Sequence, residues 1–550
     1  MNRFQYHINS VVAALYSNGL RHAVLCPGSR NAPIIMAFAR FGKITCHSAV
    51  DERAAGFIAL GIAKQTQNPV AVVCTSGSAL ANIYPAVLEA FYMQVPLLVI
   101  SADRPAEMID RWDGQTIHQF NIFGQHVKGS FTTPDSTVED VSDDFISAAN
   151  DTFRAATGKL KGPAHLNMPL AEPLYEAVNE TFIYPELSHP ISSGKTSSQI
   201  PEALISALNT SSKVMMLFGA DYSDADCQTI KEHKHMVVLA DLISNRRHLQ
   251  SVSNWEAILL QSENTDVLMP EVLITFGKMV LNKTMKQLLR LQNIQHWHID
   301  ESAYCADTYF SSPKLVEMKQ ADFLNWLNQQ SFSVNSSFLQ IWKSASDKQF
   351  SSFQYTEWSF GELTAINELL KQISDKAVLH VSNSMSVRNA AYMASSLSPE
   401  VKVHCNRGVS GIDGCTSAAI GMAMSDPEHR HILISGDIAF LYDINAFLIQ
   451  KLPANLTIVV MNNGGGGIFK ILDGPAGMPE LNPYVFTPQK YNLSDLAKTY
   501  GLNYYKAINT EEVKSSISVA FSNASCSLIE IETDADKNSK QFKQYKSNKI

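Results

Sequence analysis

Two polar strand ends in the last third of the chain carry residue types that suit a metal and diphosphate site. The apolar run at 431–437 ends in Gly436 and Asp437, and the run at 456–463 ends in two asparagines followed by four glycines. Asp437 and Asn463 are 26 residues apart (463 − 437), about what one crossover helix and the next parallel strand require. We therefore expect both side chains at the carboxyl edge of one sheet, where open α/β sheets bind ligands.

The chemistry of that edge suits Mg²⁺. A carboxylate, an amide carbonyl and backbone carbonyls are hard oxygen ligands, and phosphate oxygens complete such a site. The glycines let the backbone approach a diphosphate and adopt positive φ without strain. The alternative is a pair of ordinary turns that merely use Gly, Asp and Asn.

Three blocks of the chain, at 1–183, 184–350 and 351–550, repeat the order strand, loop, helix. This order predicts parallel sheets with helices on both faces, so we expect an α/β fold of three doubly wound domains with those boundaries. Helices are predicted at 52–64 and 79–93. The predicted strands are 22–28, 43–50, 70–77, 96–103 and 164–170 in the first block, 214–221, 236–241, 272–277 and 294–300 in the second, and 377–383, 401–408, 431–437, 456–463 and 527–533 in the third.

Three polar stretches are predicted to lie outside these sheets. The segment 184–200 is rich in Ser and Pro and is typical of a linker. The segment 344–356 is predicted to separate the second block from the third. The basic C-terminal segment 537–550 is predicted to be a solvated end.

The composition excludes several classes of protein. The chain has 550 residues, 45% of them hydrophobic, and a net charge of −8, which argues against binding to nucleic-acid backbone. No apolar run approaches the roughly 18 residues that span a bilayer, and the N-terminal residues do not resemble a signal peptide. The eight cysteines contain no C-x-x-C pair, so we expect structural thiols in a reducing cytoplasm.

Common catalytic motifs are missing from the sequence. It contains no G-x-G-x-x-G after a strand, no G-x-S-x-G and no H-E-x-x-H, which removes the usual signatures of hydride transfer, serine hydrolysis and zinc peptidases. His296 and His298 alternate along a strand and could form a metal pair, but we expect ordinary strand residues.

Glu52 stands at the end of a predicted strand of the first block. It follows the strand at 43–50 and opens a helix. A glutamate in a first turn is also favoured by the helix dipole alone.

Taken together, these motifs resemble the thiamine-diphosphate-dependent enzymes. Their diphosphate fingerprint begins Gly-Asp-Gly and closes with two asparagines, and this chain has Ile438 at the third position. A bulky residue there is typical of the menaquinone-pathway synthases of the family. The segments that carry the resemblance are CPGSRNAP (26–33), VDERAAGFIALGIAK (50–64), SADRP (101–105), NSMSVR (383–388), NRGVSGIDG (406–414), SGDIAFLYDINA (435–446) and NNGGGGIF (462–469).

The resemblance implies a thiamine-diphosphate-binding fold and a shared active site. Thiamine diphosphate would be held in a bent form between the first domain of one subunit and the third domain of its partner, in a homodimer or a dimer of dimers. Glu52 would contact the aminopyrimidine ring, and Ile412 would support the bend. The implied cofactor residues are Glu52, Ile412, Gly436, Asp437, Ile438, Asn463 and Gly465, with Asp437, Asn463 and Gly465 holding Mg²⁺ or Mn²⁺.

The resemblance also implies two dicarboxylate substrates. 2-Oxoglutarate would lose carbon dioxide, and its four-carbon remainder would be joined to isochorismate. Carboxylates call for guanidinium groups, although any single arginine can also be a surface or helix-capping residue. The implied substrate residues are Ser29, Arg30, Arg104, Gln115, Ser384, Arg388, Arg407, Ile468 and Phe469, and the implied catalytic residues are Glu52, Arg30, Arg388 and Arg407.

Two alternatives to this function stay open. One is another enzyme of the same family, such as an acetohydroxyacid synthase or a 2-oxoacid decarboxylase, which would act on smaller and less charged substrates. The other is a non-catalytic protein that keeps the fold and has lost the chemistry.

Overall fold

The computed structural model describes residues 3–135, 142–187, 199–221, 229–302, 304–352 and 358–547. These residues form three sheets in which every strand pairing is parallel, with helices between the strands. The predicted α/β class is therefore confirmed. The chain packs into two compact units: the first comprises Met1–Ser193, Asn406–Glu428 and Ala439–Asn455, and the second comprises Gly194–Cys405, His429–Ile438 and Leu456–Ile550.

The first unit contains a six-stranded sheet in the order β2-β1-β3-β4-β6-β5. Strands β3 and β4 are buried along their whole length, as expected for a parallel sheet covered on both faces. The elements are α1 (Arg3–Asn18), β1 (His22–Leu25), α2 (Ala32–Phe41), β2 (Thr45–Ser48), α3 (Glu52–Thr66), β3 (Val70–Cys74), α4 (Ser78–Asn82), α5 (Tyr84–Met93), β4 (Leu97–Asp103), β5 (Ser130–Thr132), α6 (Ser142–Thr157) and β6 (Ala164–Pro169).

The single helix predicted at 79–93 is wrong, because the structure has two helices there. Helix α4 ends at Asn82, and α5 begins at Tyr84 with Pro85 in its first turn. Proline has no N–H to donate to the preceding turn, so it is tolerated at a helix start and breaks a helix interior.

The central sheet, in the second unit, has five strands in the order β11-β10-β9-β7-β8. Alternate residues of β7 pack into two different cores: Met216 belongs to one and Leu217 to the other, so the sheet is covered on both faces. The elements are α7 (Glu202–Thr210), β7 (Val214–Phe218), β8 (Met236–Ala240), α8 (Trp255–Gln261), β9 (Val272–Phe276), α9 (Lys283–Arg290), β10 (Gln295–Ile299), β11 (Lys314–Val316), α10 (Gln320–Asn328) and α11 (Phe338–Ser352).

Two expectations for this region have different outcomes. His296 and His298 are buried in β10. A ring nitrogen of His296 lies 2.7 Å, and one of His298 lies 2.8 Å, from the Thr275 hydroxyl of β9. They are thus strand residues, as expected. Residues 344–352 of the predicted separator form the second half of α11, in which Trp342 is fully buried. Residues 353–357 and most of the predicted linker, 188–198, lie outside the described residues.

The third sheet has six strands in the order β13-β12-β14-β15-β17-β16 and also lies in the second unit. In the register of β14 and β15, Gly436 pairs with Met461. Both strands therefore end at the same edge, as the spacing predicted. The elements are α12 (Glu362–Lys371), β12 (Val378–Val381), α13 (Met385–Tyr392), β13 (Lys402–His404), α14 (Cys415–Ser425), β14 (His431–Gly436), α15 (Asp437–Tyr442), β15 (Leu456–Asn462), α16 (Ile468–Ile471), α17 (Asp473–Ala476), α18 (Leu493–Thr499), β16 (Asn503–Ala507), α19 (Thr510–Ser522), β17 (Ser527–Glu532) and α20 (Ala535–Ser547).

Short helical turns complete the framework. Helix α14 and the turn at Ile444–Phe447 belong to the first unit. Within the described ranges, no helix is both long enough and apolar enough to cross a membrane. The 3₁₀ turns are Ala106–Met108, Gly124–His126, Leu242–Ser244, Arg247–Leu249, Asp266–Leu268, Ala394–Ser396 and Ile444–Phe447, and a π-helical turn spans Leu481–Phe486.

The prediction of a solvated C-terminus is wrong for residues 537–547. They belong to α20, in which Tyr545 is fully buried and Asn538 and Gln541 are also buried. The Gln541 side-chain amide donates to the Ser359 carbonyl (2.8 Å). The buried face of α20 is largely polar, so the segment has no apolar stripe by which the sequence could have revealed it.

Candidate active site

The second unit brings the two predicted metal ligands to one sheet edge. The Asp437 carboxyl is buried, its Oδ1 accepts a hydrogen bond from the Ile438 amide (2.8 Å), and its Oδ2 is buried without a partner among the described residues. Asn463 uses its Nδ2 to donate to Glu362 (2.6 Å), which leaves its Oδ1 buried and likewise without a partner in the described ranges. A buried polar atom without a partner is costly, so two such oxygens at one edge fit an oxygen-binding cation.

The glycines after Asn463 are required by the backbone of the turn. Gly464 and Gly465 have φ values of 79° and 159°. A Cβ on Gly465 would lie 2.6 Å from the Phe486 carbonyl oxygen, and a Cβ on Gly467 would lie 2.6 Å from Asn463 Nδ2. The run therefore leaves room for the Asn463 side chain and lets the turn approach a ligand closely.

The electrostatics of this edge also favour a cation. Burial raises the pKa of Glu362 to about 7, an effect opposed by the amide of Asn463 and reinforced by the charge of Asp437. Burial raises the pKa of Asp437 to about 6, although the neighbouring backbone amides act to lower it. Two buried carboxyls that resist ionisation would each be stabilised in their charged form by a nearby cation.

Five further predicted residues follow strands in the same unit. Ser384 directly precedes α13 and has a φ of 73°, and its carbonyl accepts a hydrogen bond (2.7 Å) from Arg388, which is exposed. A non-glycine residue in that conformation is strained, which is common at ligand sites. Ile468 and Phe469 begin α16 and are half-buried, as a wall beside a ligand would be. Ile438, directly after Asp437, is half-buried as well.

In the first unit, Glu52 is the first residue of α3. Asp51 caps that helix by accepting the Ala54 amide (3.0 Å), and Asn445 donates to the second oxygen of Asp51 (2.7 Å). Burial, and to a lesser extent the charge of Glu52, raises the pKa of the Cys26 thiol at the end of β1. Glu52 therefore faces the carboxyl edge of the first sheet, from a fixed helix start.

Arg30 and Arg104 lie close together at the same edge. Burial, and after it the charge of Arg104, lowers the pKa of Arg30. Arg30 donates to the Leu170 carbonyl (2.8 Å) and to Glu172 (3.0 Å). Arg104 donates to the Ser76 hydroxyl (2.7 Å) and extends across the loop that carries Gln115. Arg104 also lies 3.7 Å from the Asp113 carboxylate, so each of the two guanidinium groups has an acidic neighbour.

Ser29 and Gln115 are both exposed beside these arginines. The Ser29 hydroxyl is 2.9 Å from the Tyr175 hydroxyl. Gln115 has a φ of 60°, and its Cα lies 3.2 Å from where a Cβ on Gly77 would be. Gly77 therefore allows the Gln115 backbone to cross this loop closely.

Arg407 and Ile412 share a loop held by a buried ion pair of the first unit. Glu89 accepts hydrogen bonds from the amides of Gly408 (2.8 Å) and Val409 (2.9 Å). Lys64 lies 3.9 Å from Glu89, and both side chains are almost fully buried. The loop conformation is thus fixed from inside the protein.

The structure brings the predicted residues together in two groups. Glu52, Ser29, Arg30, Arg104 and Gln115 lie at the edge of the first sheet, with Arg407 and Ile412 on the Glu89 loop of the same unit. The second unit holds the remainder. They are Ser384, Arg388, Gly436, Asp437, Ile438, Asn463, Gly465, Ile468 and Phe469.

Sequence reasoning missed two buried glutamates, Glu362 and Glu89, and one exposed glutamate, Glu172, that contact candidate residues or their loops. Glu362 is the first residue of α12 and looks like any first-turn glutamate. Glu89 lies inside α5, and only its burial beside Lys64 reveals its role. Glu172, the partner of Arg30, has no distinguishing sequence context. A glutamate within an otherwise apolar helical stretch, as at Glu89, is the one signal that could have been used.

Two family models match separate regions of the chain. The model described as "Thiamine pyrophosphate enzyme, N-terminal TPP binding domain" matches residues 8–122, and the corresponding C-terminal TPP binding domain matches residues 387–531. The first region contains Ser29, Arg30, Glu52, Arg104 and Gln115, and the second contains the other candidate residues except Ser384.

Curated relatives match nearly the whole chain under one name, 2-succinyl-5-enolpyruvyl-6-hydroxy-3-cyclohexene-1-carboxylate synthase. The protein from Flavobacterium johnsoniae is 37% identical over 98% of this chain and 97% of its own length. Those from Flavobacterium psychrophilum and Cytophaga hutchinsonii are 37% and 34% identical, covering 95% and 98% of both chains. The chain therefore belongs to the 2-succinyl-5-enolpyruvyl-6-hydroxy-3-cyclohexene-1-carboxylate synthase family of thiamine-diphosphate-dependent enzymes.

Proposed function

We propose that this protein decarboxylates 2-oxoglutarate and joins the resulting succinyl semialdehyde unit to isochorismate. The products are 2-succinyl-5-enolpyruvyl-6-hydroxy-3-cyclohexene-1-carboxylate and carbon dioxide, in menaquinone biosynthesis. The observation that carries the proposal is the pair of buried oxygens on Asp437 and Asn463, beside a glycine turn, in a chain whose relatives share one enzyme name.

The cofactor site follows from that pair. Asp437, Asn463 and the backbone of Gly465 would hold Mg²⁺ or Mn²⁺, and the glycine turn would face the diphosphate. Thiamine diphosphate, when bound, supplies the carbon nucleophile and electron sink that decarboxylation of a 2-oxoacid needs. Glu52 would hold a proton at the cofactor ring, and Ile412 would support the ring from the Glu89 loop.

The substrate residues divide by charge. Arg30, Arg104, Arg388 and Arg407 would bind carboxylates, since a guanidinium donates two parallel hydrogen bonds to a carboxylate. Ser29, Gln115 and Ser384 would supply neutral hydrogen bonds. Ile468 and Phe469 would keep water away from the reacting carbons. Arg30 already donates to Glu172, so a substrate carboxylate would have to compete with that exposed partner.

The remaining parts of the proposal concern organisation. We assign domain boundaries at 1–183, 184–350 and 351–550, a homodimer or dimer of dimers, and a cytoplasmic location. Size measurement by light scattering tests the oligomeric state, with a monomer as the contradicting result.

The substrates are tested by turnover in the presence of Mg²⁺ and thiamine diphosphate. Carbon dioxide release is compared for 2-oxoglutarate and pyruvate, each with and without isochorismate. We expect turnover of 2-oxoglutarate to exceed that of pyruvate and to increase with isochorismate. Preference for pyruvate would favour another enzyme of the family, and failure to bind the cofactor would favour a non-catalytic protein.

A further inference from the structure

We propose that Glu362 is a positioning residue that orients Asn463 so that its carbonyl oxygen faces the metal. The inference rests on the proposed function, because it assumes that Asn463 is a metal ligand. The amide NH₂ of Asn463 donates to the Glu362 carboxyl, which accepts two further amide donors as well. The Asn463 oxygen is then forced to the opposite side, where it is buried and has no partner within the described ranges.

Glu362 is itself held by several partners. Three asparagine amides donate to its carboxyl: Asn463 (2.6 Å) and Asn538 (3.1 Å) to Oε1, and Asn389 (3.0 Å) to Oε2. The side chain is only 6% exposed, so water does not compete effectively for these bonds. These hydrogen bonds fix the orientation of the Glu362 carboxyl, and its bond to Asn463 fixes the orientation of the Asn463 amide.

Helix α20 holds the start of α12, where Glu362 lies. The side-chain oxygens of Asn538 and Gln541 in α20 accept hydrogen bonds from the backbone amides of Glu362 (3.1 Å) and Leu363 (3.2 Å). These amides lie in the first turn of α12, where no carbonyl of the helix itself can accept from them. Helix α20 therefore has a polar buried face because it caps the helix that carries Glu362. This explains why the segment predicted to be a solvated tail is packed.

Without Glu362, the Asn463 amide could rotate by half a turn and present its NH₂ to the cation. Loss of a residue that orients a metal ligand typically lowers metal affinity about 10–100-fold. Glu362→Gln keeps the volume of the side chain but replaces one accepting oxygen with an NH₂, which faces an asparagine NH₂. We expect this variant to bind Mg²⁺ about 10–100-fold more weakly.

The test is calorimetric titration of Mg²⁺ into the full-length protein with thiamine diphosphate present. The matched control is Glu256→Gln, which makes the same change at another buried carboxyl of the second unit, 3% exposed. We expect Glu256→Gln to bind Mg²⁺ like the wild type. Unchanged Mg²⁺ affinity in Glu362→Gln would overturn the inference. If the wild type itself shows no Mg²⁺-dependent cofactor binding, the proposed function fails instead.

Two further measurements separate positioning from a merely structural role. The turnover number of Glu362→Gln should return to near the wild-type value at saturating Mg²⁺, since the defect is in metal affinity; a turnover number that stays low would contradict this. The double variant Glu362→Gln with Asn463→Asp reverses the hydrogen bond and preserves total charge. This double variant should bind Mg²⁺ at least tenfold more tightly than Glu362→Gln alone. If Glu362→Gln does not fold, the Mg²⁺ affinity of the double variant should lie within tenfold of the wild-type affinity. Weaker binding would overturn the inference.

Discussion

Replacing Gly61 with alanine should push apart helices α3 and α14, which touch through their backbones in the first unit. A Cβ on Gly61 would lie 2.1 Å from the carbonyl oxygen of Ala418. Reciprocally, a Cβ on Gly421 would lie 2.1 Å from the carbonyl oxygen of Ile58. Carbon and oxygen atoms pack at about 3.3 Å or more, so either substitution requires a backbone shift of more than ~1 Å.

The magnitude follows from two opposing effects. Alanine in a helix interior is favoured over glycine by about 1 kcal/mol. Overpacking costs about 1–3 kcal/mol, and more where no side chain can move aside, as here. We expect a net loss of about 1–2 kcal/mol for Gly61→Ala. Glu52 lies nine residues earlier on α3, so a displaced helix should also lower the turnover number.

The assay is thermal unfolding together with steady-state turnover, with Gly474→Ala as the matched control. Gly474 lies in α17, has no positive φ and has no atom within 4 Å of an added Cβ in the described structure. The control should keep the melting temperature and turnover of the wild type. A melting temperature for Gly61→Ala equal to or above that of the control would refute the close contact of α3 and α14.

Three other substitutions test other parts of the structure. Glu52→Gln should nearly abolish turnover while thiamine diphosphate still binds with Mg²⁺; near-normal rates would exclude the proton-carrying role. Glu89→Gln removes the carboxylate that offsets the buried charge of Lys64, which costs about 3–5 kcal/mol, so it should melt lower than the double variant that also carries Lys64→Met. Equal melting temperatures would argue against a buried ion pair. Tyr545→Ala removes a fully buried ring of α20 and should cost about 3–5 kcal/mol, whereas Tyr484→Ala, 78% exposed, should be neutral in the same melting assay.

The central strands could be predicted from sequence because they are buried on both faces. Each of β3, β4 and β7 consists mainly of consecutive apolar residues, and such a run predicts a strand that is covered on both faces. The three strands that were missed, β5, β11 and β16, each lie at the edge of a sheet and are only partly buried. These three strands have exposed side chains and no continuous apolar run, whereas β8, an edge strand that is fully buried, was predicted.

In the candidate site, too, some residues could be predicted from the sequence and others could not. Asp437 and Asn463 were predictable because each follows a buried strand directly, and strand order then brings them together. Glu362 was not, because its partner Asn463 is 101 residues away in the chain. Glu89 and the Gly408 amide are 319 residues apart. Such contacts depend on packing between distant segments, which a single sequence does not reveal.

The most direct test of the function is product identification by mass spectrometry. The full-length protein is incubated with Mg²⁺, thiamine diphosphate, isotopically labelled 2-oxoglutarate and isochorismate, in parallel with Asp437→Asn. We predict that the wild type forms a ring-coupled product carrying the four-carbon label, and that Asp437→Asn forms far less at the same Mg²⁺ concentration. Labelled carbon dioxide without any ring-coupled product, or equal product from Asp437→Asn, would contradict the account.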